Sequence, residues 1–477
     1  MRLSYAKDVV FSFALQIFEN GRSLLLIPVI AKTMGASGYG MWIQVKIGIA
    51  FFCPFLLLGM GGGITRFMPG SSKREISNGI HSSAVSGFLM GTGLAIAVIL
   101  LERVLQQYMS VLPDSGFFIK GLALLCIAEP LNSLYIEYFR AFRRMRSLLT
   151  LSVLDAIFEF APVFWFAYNG FGIGMVIFSF ACGRLIMAAF KSFFVFRQVG
   201  AGSFDMEILK RYIKFGFPIA WAYSFFYVAN YADRYLIGFF YSTKEVGIYS
   251  LAYSIGYAAI LISSPLDRIL VPTITEHWNK GSTADASSHF NSILRHALML
   301  VIPVIVFLSV AGEEIVRMLS TQEFFSSVYI IPVMLVTFLI FEVGVFYQRM
   351  VMLTHPSNVI MKVYGLIAVI SVVLNIVLIP AFSIAGAAVS LLVTYGVFCA
   401  MFYNIAKKDN IALGFNWPLF LKCAIATIPG LLLILLTKKI IYSIPLAACM
   451  YLASIVFLGL IEEREWAFIK RLRYLPK

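Results

Sequence analysis

Along almost its whole length this chain is a succession of apolar runs about twenty residues long, separated by polar segments too short to fold by themselves. A helix needs about 20 apolar residues to cross a bilayer. The runs fall near 9–31, 41–63, 80–101, 117–138, 148–168, 171–195, 213–240, 248–271, 297–316, 328–348, 363–380, 384–404, 419–437 and 442–461. The pattern predicts an all-α polytopic membrane protein of about fourteen transmembrane helices. Composition agrees: hydrophobic residues make up 60%, charged residues 13%, and the mean hydropathy is +0.87. Soluble domains carry about 25% charged residues. The first run lacks a short apolar core followed by a small-residue cleavage site, so it reads as an uncleaved span rather than a signal peptide.

The net charge of +14 does not point to nucleic acid, because the basic residues are scattered between apolar runs and form no basic domain. Such residues set topology. With the N-terminus inside, 26 of the 38 Lys and Arg fall in inner segments, 8 in outer segments and four, Arg22, Arg184, Arg234 and Arg268, within spans. The bias places both termini in the cytoplasm. Lys438 and Lys439 run against it in the last hairpin. The six cysteines lie in apolar runs without CxxC spacing and read as small core residues rather than disulfides or metal ligands.

The basic segment from Lys191 to Lys214 divides the chain. Gly40 and Trp42 follow a short turn after the first span; Gly247 and Tyr249 follow one after the seventh. Each is followed by an apolar run that ends on Arg shortly before Pro, Arg66 and Pro69 in one case, Arg268 and Pro272 in the other. Six spans is an even number, so the repeat is parallel, with a pseudo-twofold along the membrane normal. The expected organisation is an N-terminal lobe over 1–200, a second six-helix lobe over 201–410, and a helix pair with a basic cytoplasmic tail over 411–477.

Ionisable residues in lipid are costly and mark a protein interior or a wet cavity. Ser12, Gln16, Glu19 and Ser23 share one helical face of span one, flanked by Asn20 and Arg22. Tyr223, Tyr227, Asn230 and Arg234 form the same kind of stripe in span seven, next to Asp233. Span four offers Glu129 and Asn132, span five Ser152, Asp155 and Glu159, span six Arg184, span eight Asp267 and Arg268, and span ten Glu342. Spans eleven to fourteen carry almost nothing ionisable. The polar groups therefore gather in the first ten spans, as around one central cavity. The structural alternative pairs them as packing contacts, Glu19 with Arg22 and Glu159 with Arg184. Asp155 and Glu159, one turn apart, would raise a pKa between them and suit ion coupling, with Arg184 as their neighbour.

Enzyme chemistry finds no motif here: no HExxH, no GxSxG and no phosphate-binding loop. The histidines, His81, His277, His289, His296 and His355, show no metal-ligand spacing. No cofactor is expected, and transport would run on a proton, sodium or substrate gradient.

Several stretches resemble the oligosaccharide and polysaccharide flippases, the Wzx-type transporters of the MATE-like MOP superfamily. They are LLLIPVIAKTMGASGYG from Leu24 to Gly40, YADRYLIG from Tyr231 to Gly238, EVGIY from Glu245 to Tyr249, and NIVLIP from Asn375 to Pro380 followed by IAGAA from Ile384. The resemblance implies two six-helix lobes around a V-shaped cavity plus two C-terminal helices. It implies export of a polyprenyl-diphosphate-linked oligosaccharide from the cytoplasmic to the outer leaflet by alternating access, in a bacterial inner membrane, for a surface polysaccharide. A glycan polymerase or other assembly machinery would be a partner. Cavity arginines meet the diphosphate in this family, and by position these are Arg22 and Arg268; Asp233 and Arg234 match its span-seven acid–base pair. Arg offers a bidentate fork to phosphate, and Tyr223 and Tyr227 offer sugar rings an apolar face. Two rivals stand beside this reading: an ion-coupled multidrug antiporter of the same fold, and a membrane glycan polymerase or ligase, which would need a larger outer loop.

Overall fold

The structure, a computed structural model, describes residues 2–103, 115–408, 417–437 and 440–460. Every regular element among them is helical: α1 (Arg2–Leu56), α2 (Met60–Phe67), α3 (Lys73–Leu100), α4 (Ser115–Ala141), α5 (Met145–Tyr168), α6 (Ile173–Val199), α7 (Met206–Phe240) and α8 (Thr243–Ile260). Then come α9 (Ser264–Asn279), α10 (Thr283–Val310), α11 (Gly312–Leu319), a 3₁₀ turn (Gln322–Ser327), α12 (Ile331–Thr354), α13 (Ser357–Lys408), α14 (Trp417–Ala426), α15 (Ile428–Thr437) and α16 (Ile440–Phe457). Nine helices among the described residues are long and apolar enough to cross a membrane, ten if the bent pair α8–α9 makes one span. Large apolar side chains such as Leu89, Phe193 and Phe239 stand exposed along them, as a lipid solvent permits and water does not.

The turns expected between spans one and two and between spans eleven and twelve shrink to single residues. α1 continues through Gly35 and α13 through Ser383, each residue alone leaving helical geometry, with φ of 67° and 52°. The helical segment that restarts after Gly35 is capped from outside: the Ala36 amide donates to Glu323 Oε2 at 2.9 Å, satisfying an otherwise orphaned donor. The single span expected over 248–271 is instead broken at residues 261–263. Pro265 at the start of α9 has no amide hydrogen to continue the α8 ladder. Span two is also interrupted, with α1 ending at Leu56 and Gly59 in the left-handed region before α2.

The chain forms two compact units. The first comprises residues up to Ser250 with Leu319–Glu323 and Tyr364–Ile384; the second comprises Leu251–Met318, Phe324–Val363 and the described residues from Ala385 onward. The first unit has a core in which Met60 and Ile64 of α2, Tyr135 and Phe139 of α4, Leu151 of α5 and Val195 of α6 pack together. Ser371 and Tyr241 add bonds inside it, to the Ala229 carbonyl at 2.9 Å and the Pro380 carbonyl at 3.0 Å. In the second unit Ser263 donates to Glu342 Oε1 at 2.5 Å, and Tyr451 of α16 donates to the Met299 carbonyl of α10 at 2.7 Å.

The two glycine–aromatic motifs meet inside the first unit. A Cβ on Gly40 would lie 1.9 Å from the Thr243 carbonyl oxygen, and one on Gly247 would lie 1.9 Å from the Ala36 carbonyl oxygen. Ser37 and Thr243 hydroxyls lie 2.7 Å apart beside them. Backbones this close leave no room for a side chain, and both neighbours are main-chain atoms that cannot rotate away. Gly40→Ala and Gly247→Ala should each lower the melting temperature of the detergent-solubilised protein, by an overpacking cost of about 1–3 kcal/mol. Gly396→Ala, where a Cβ meets nothing within 4 Å, should be neutral or mildly stabilising. Equal melting temperatures across the three variants would contradict the close contact.

Candidate functional site

Four helices of the first unit, α1, α4, α5 and α6, and the side of α7 that bears Tyr227 enclose a cavity of about 440 Å³. Arg22 and Lys46 of α1, Glu129, Glu137 and Arg140 of α4, Glu159 of α5 and Arg184 of α6 line it, among Cys53, Ile136, Phe180 and Tyr227. Arg22 and Lys46 stand on either side of the Gly35 break, so the break lets one element supply two cations to the same wall. Close packing of α5 on α6 brings the opposing charges together: a Cβ on Gly183 would lie 2.1 Å from the Phe158 carbonyl oxygen.

The charges divide into two sets by geometry. In the tight set, the Arg184 fork donates from Nε and Nη2 to the two Glu129 oxygens at 2.5 and 2.8 Å. Its Nη1 lies 3.3 Å from Asp155 Oδ1. The Lys191 ammonium donates to both Asp155 oxygens at 2.9 and 2.7 Å and to Asn132 Oδ1 at 2.9 Å. Asn132 in turn donates to the Ala128 and Arg184 carbonyls at 3.0 and 2.9 Å. Two carboxylates and two cations make this set neutral. In the loose set, Arg22 Nη1 and Lys46 Nζ each lie 3.5 Å from an oxygen of the same carboxylate, Glu159. That is ion-pair contact but too long for a good hydrogen bond. The buried Nε of Arg22 has no hydrogen-bond partner among the described residues. Among the residues that line the cavity, two cations on one carboxylate leave one positive charge in excess, since Arg140 is matched by Glu137 at 2.9 Å and Arg184 by Glu129.

The residues singled out in the sequence are thus partly brought together. Arg22, Asp155, Glu159, Arg184 and Tyr227 belong to or adjoin the cavity. The simple pairings fail: Arg22 sits on Glu159 instead of Glu19, Arg184 takes Glu129 and Asp155 instead of Glu159, and Glu19 accepts from Ser152 at 3.2 Å. Asp155 and Glu159 do not face each other as a bare acid pair, because each is held by its own two cations.

Asp233 and Arg234 are buried, at 2% and 1% exposure, and form a separate node. Arg234 Nη1 donates to Asp233 Oδ1 at 2.7 Å and to the Asn230 carbonyl at 2.8 Å. Tyr249 donates to Asp233 Oδ2 at 2.5 Å. The guanidinium lies 5.1 and 5.2 Å from the Tyr231 and Tyr249 ring centroids. Asn230 donates to the Phe226 carbonyl at 2.6 Å, and Tyr223 is exposed. The side chains of Asn20 and Arg268 lie outside the described ones.

Two functional candidates escaped the sequence reading. By sequence Lys46 and Lys191 count among the lysines that set topology, yet Lys46 lines the cavity and Lys191 is 1% exposed. The signal was there for Lys191: it lies seven residues after Arg184, hence on the same helical face. In the second unit, the His277 and His289 rings stack with centroids 4.5 Å apart, a contact that their separation in sequence conceals.

Apolar helices around a charged cavity, with no polar domain among the described residues, define a multi-pass membrane protein with charge held inside its bundle. Residues 30–329 match the model of the polysaccharide biosynthesis protein family; the chain belongs to that family. It is 23% identical over 403 residues to a protein of Haloferax volcanii named probable low-salt glycan biosynthesis flippase Agl15, covering 83% of this chain and 82% of that protein. A second Haloferax volcanii protein, named probable flippase AglR, is 26% identical over 35% of each chain. Among solved structures, the lipid II flippase MurJ in an inward closed conformation superposes with a TM-score of 0.73 at 16% identity, over 96% of this chain and 100% of that one. A multidrug resistance MATE family transporter of the MOP superfamily, in its inward-facing conformation, gives 0.66 at 12% identity, over 84% and 98%. These likenesses establish the MATE- and MurJ-like fold.

Sharing one carboxylate makes the two cations interchangeable for stability. Arg22→Gln or Lys46→Gln alone should change the melting temperature little, because the other cation still holds Glu159. The double variant leaves a carboxylate with 3% side-chain exposure unpaired and should cost about 3 kcal/mol. Adding Glu159→Gln to the double should recover most of that loss. Additive single effects, with no recovery in the triple variant, would contradict the shared pairing.

Proposed function

We infer that this protein is a flippase that moves a polyprenyl-diphosphate-linked oligosaccharide from the cytoplasmic to the outer leaflet, for assembly of a surface polysaccharide. It is a transporter rather than an enzyme. The observation that carries the reading is the excess positive charge in the cavity, where Arg22 and Lys46 share Glu159 at 3.5 Å. A diphosphate brings at least two negative charges into the cavity, and needs cations that are not already bound at hydrogen-bond distance. Arg184 and Lys191 are committed in that way; Arg22 and Lys46 are not. Family membership and the flippase names of its relatives support the same direction.

In this reading Arg22, with Lys46, receives the headgroup, and Arg268 meets it at the inner end of span eight. Glu19, Asn20, Tyr223, Tyr227 and Asn230 lie along the path of the sugars. Asp233 and Arg234 keep α7 and α8 in register beside that path. The full architecture would be fourteen spans in two six-helix lobes, 1–200 and 201–410, with a final pair over 411–477. Both termini would be cytoplasmic, in a bacterial inner membrane beside a glycan polymerase. The ion coupling expected of Asp155, Glu159 and Arg184 would then run on a proton, since the Lys191 ammonium already takes both Asp155 oxygens, where sodium would sit. The multidrug antiporter reading ranks second, because the carboxylates that a cationic drug would use are occupied by the protein's own cations.

The test is complementation of a flippase-null strain, read as surface polysaccharide. Arg22→Gln should lower transport strongly, since one charged hydrogen-bonding partner contributes about 1.5–3 kcal/mol, or roughly ten- to a hundredfold in affinity. Arg22→Lys should rescue in part, keeping charge without the fork. The triple Arg22→Gln, Lys46→Gln, Glu159→Gln variant, which has no unpaired charge, should be expressed yet fail to transport. Full complementation by the triple variant would refute the headgroup role.

A further inference from the structure

The tight charge set contains a site that takes no part in holding the headgroup, although Asp155 and Arg184 are among the groups given above to ion coupling. Lys191 of α6 projects its ammonium into a pocket of three oxygen atoms, Asp155 Oδ1 and Oδ2 and Asn132 Oδ1, at 2.9, 2.7 and 2.9 Å. The side chain is 1% exposed. Asp155 and Asn132 come from two other helices, α5 and α4, so three elements converge on one cation. Oxygen donors, one of them a charged carboxylate, are what a hard cation takes as ligands. The donors are themselves fixed. Asn132 is tied to the Ala128 and Arg184 carbonyls through its amide nitrogen, which aims its carbonyl oxygen at the site. Asp155 is steadied by Arg184 Nη1 at 3.3 Å.

We propose that this is a monovalent-cation site of the first unit, permanently filled by the Lys191 ammonium in place of a dissociable sodium or potassium ion. Lys is suited to the role and Arg is not. An ammonium is a compact point charge with three donors in a tetrahedral spread, close to a potassium ion in size, whereas a guanidinium is a flat fork. The tether explains the arithmetic of the set. With Lys191, the charges of Glu129, Arg184, Asp155 and Lys191 cancel. Without it, one negative charge remains in a buried place, to be neutralised by a proton on Asp155 or by a free cation seated among the same oxygens. The consequence is that α4, α5 and α6 are held together without any ion from solution. The inference concerns the stability of the unit and does not depend on what crosses the membrane.

The test uses the full-length protein purified in detergent. Its melting temperature is measured in sodium, potassium, lithium or choline chloride at one ionic strength. Lys191→Ala should acquire a saturable rise of a few degrees in sodium or potassium over choline that exceeds any such rise in the wild type, as binding to the folded state alone requires. Methylammonium should rescue the same variant by replacing the lost group. The Lys191→Met, Asp155→Asn double variant removes the pair and keeps the volume. It should fold and show no more cation dependence than the wild type. A Lys191→Ala protein that gains no cation dependence over the wild type would overturn the proposal. So would failure to recover Lys191→Ala in any of these salts while the double variant is recovered, because the site then accepts no free cation.

Discussion

Inside an apolar helix bundle a charge is stable only beside its counter-charge, and the first unit is arranged by that constraint. Removing one partner of a buried pair costs several kcal/mol, far more than the pair itself contributes over a well-packed apolar alternative. Charges are therefore kept only where they serve a purpose. Here they occur as a neutral lattice, Glu129–Arg184–Asp155–Lys191, and next to it a carboxylate that two cations share. The lattice sets the mutual position of α4, α5 and α6 through bonds of 2.5–2.9 Å. The shared carboxylate leaves the cations of α1 less tightly held, at 3.5 Å. One set fixes the walls of the cavity, and the other leaves charge available within it.

The backbone makes that arrangement accessible. α1 can supply both Arg22 and Lys46 only because it bends at Gly35, where glycine takes a φ of 67° without a Cβ penalty. Past the break, Gly40 lies against the Thr243 carbonyl and Gly247 against the Ala36 carbonyl, which locks the restarted helix onto α8. Trp42, two residues further, packs edge-on against Phe180 of α6 at 5.0 Å, and the Lys46 ammonium sits 5.6 Å from the Trp42 ring. A chain of small residues and one aromatic thus carries the α1 cation to the cavity wall.

The helical membrane class and most span positions were legible in the sequence, because twenty-residue apolar runs leave lipid-spanning helices as the natural reading. The Gly40 and Gly247 motifs read in sequence as counterparts, and the structure shows that they touch. What hydropathy averages out was not legible: the single-residue breaks at Gly35 and Ser383, and the interruption before Pro265. Which charges pair was also hidden. Sequence spacing favours partners on one helix, such as Glu19 with Arg22, whereas the observed pairs cross between helices, where the neighbour is set by packing. Lys46 and Lys191 were misassigned for a related reason. A lysine near the end of an apolar run is usually a topology signal, and only the tertiary fold turns these two inward. Asp233 and Arg234 read in sequence as the acid–base pair of span seven; in the structure they bond to each other and to Tyr249.

The central claim is that the loosely held cations of the cavity receive a phosphate-bearing headgroup. The most direct measurement is binding of three lipids with the same polyprenyl chain to the purified protein: the diphosphate, the monophosphate and the uncharged alcohol, at low and high salt. The account predicts affinity in that order. It also predicts loss of the diphosphate preference at high salt and in the Arg22→Gln, Lys46→Gln, Glu159→Gln protein, by about ten- to a hundredfold. Equal binding of diphosphate and alcohol by the wild-type protein, unchanged in the triple variant, would contradict it.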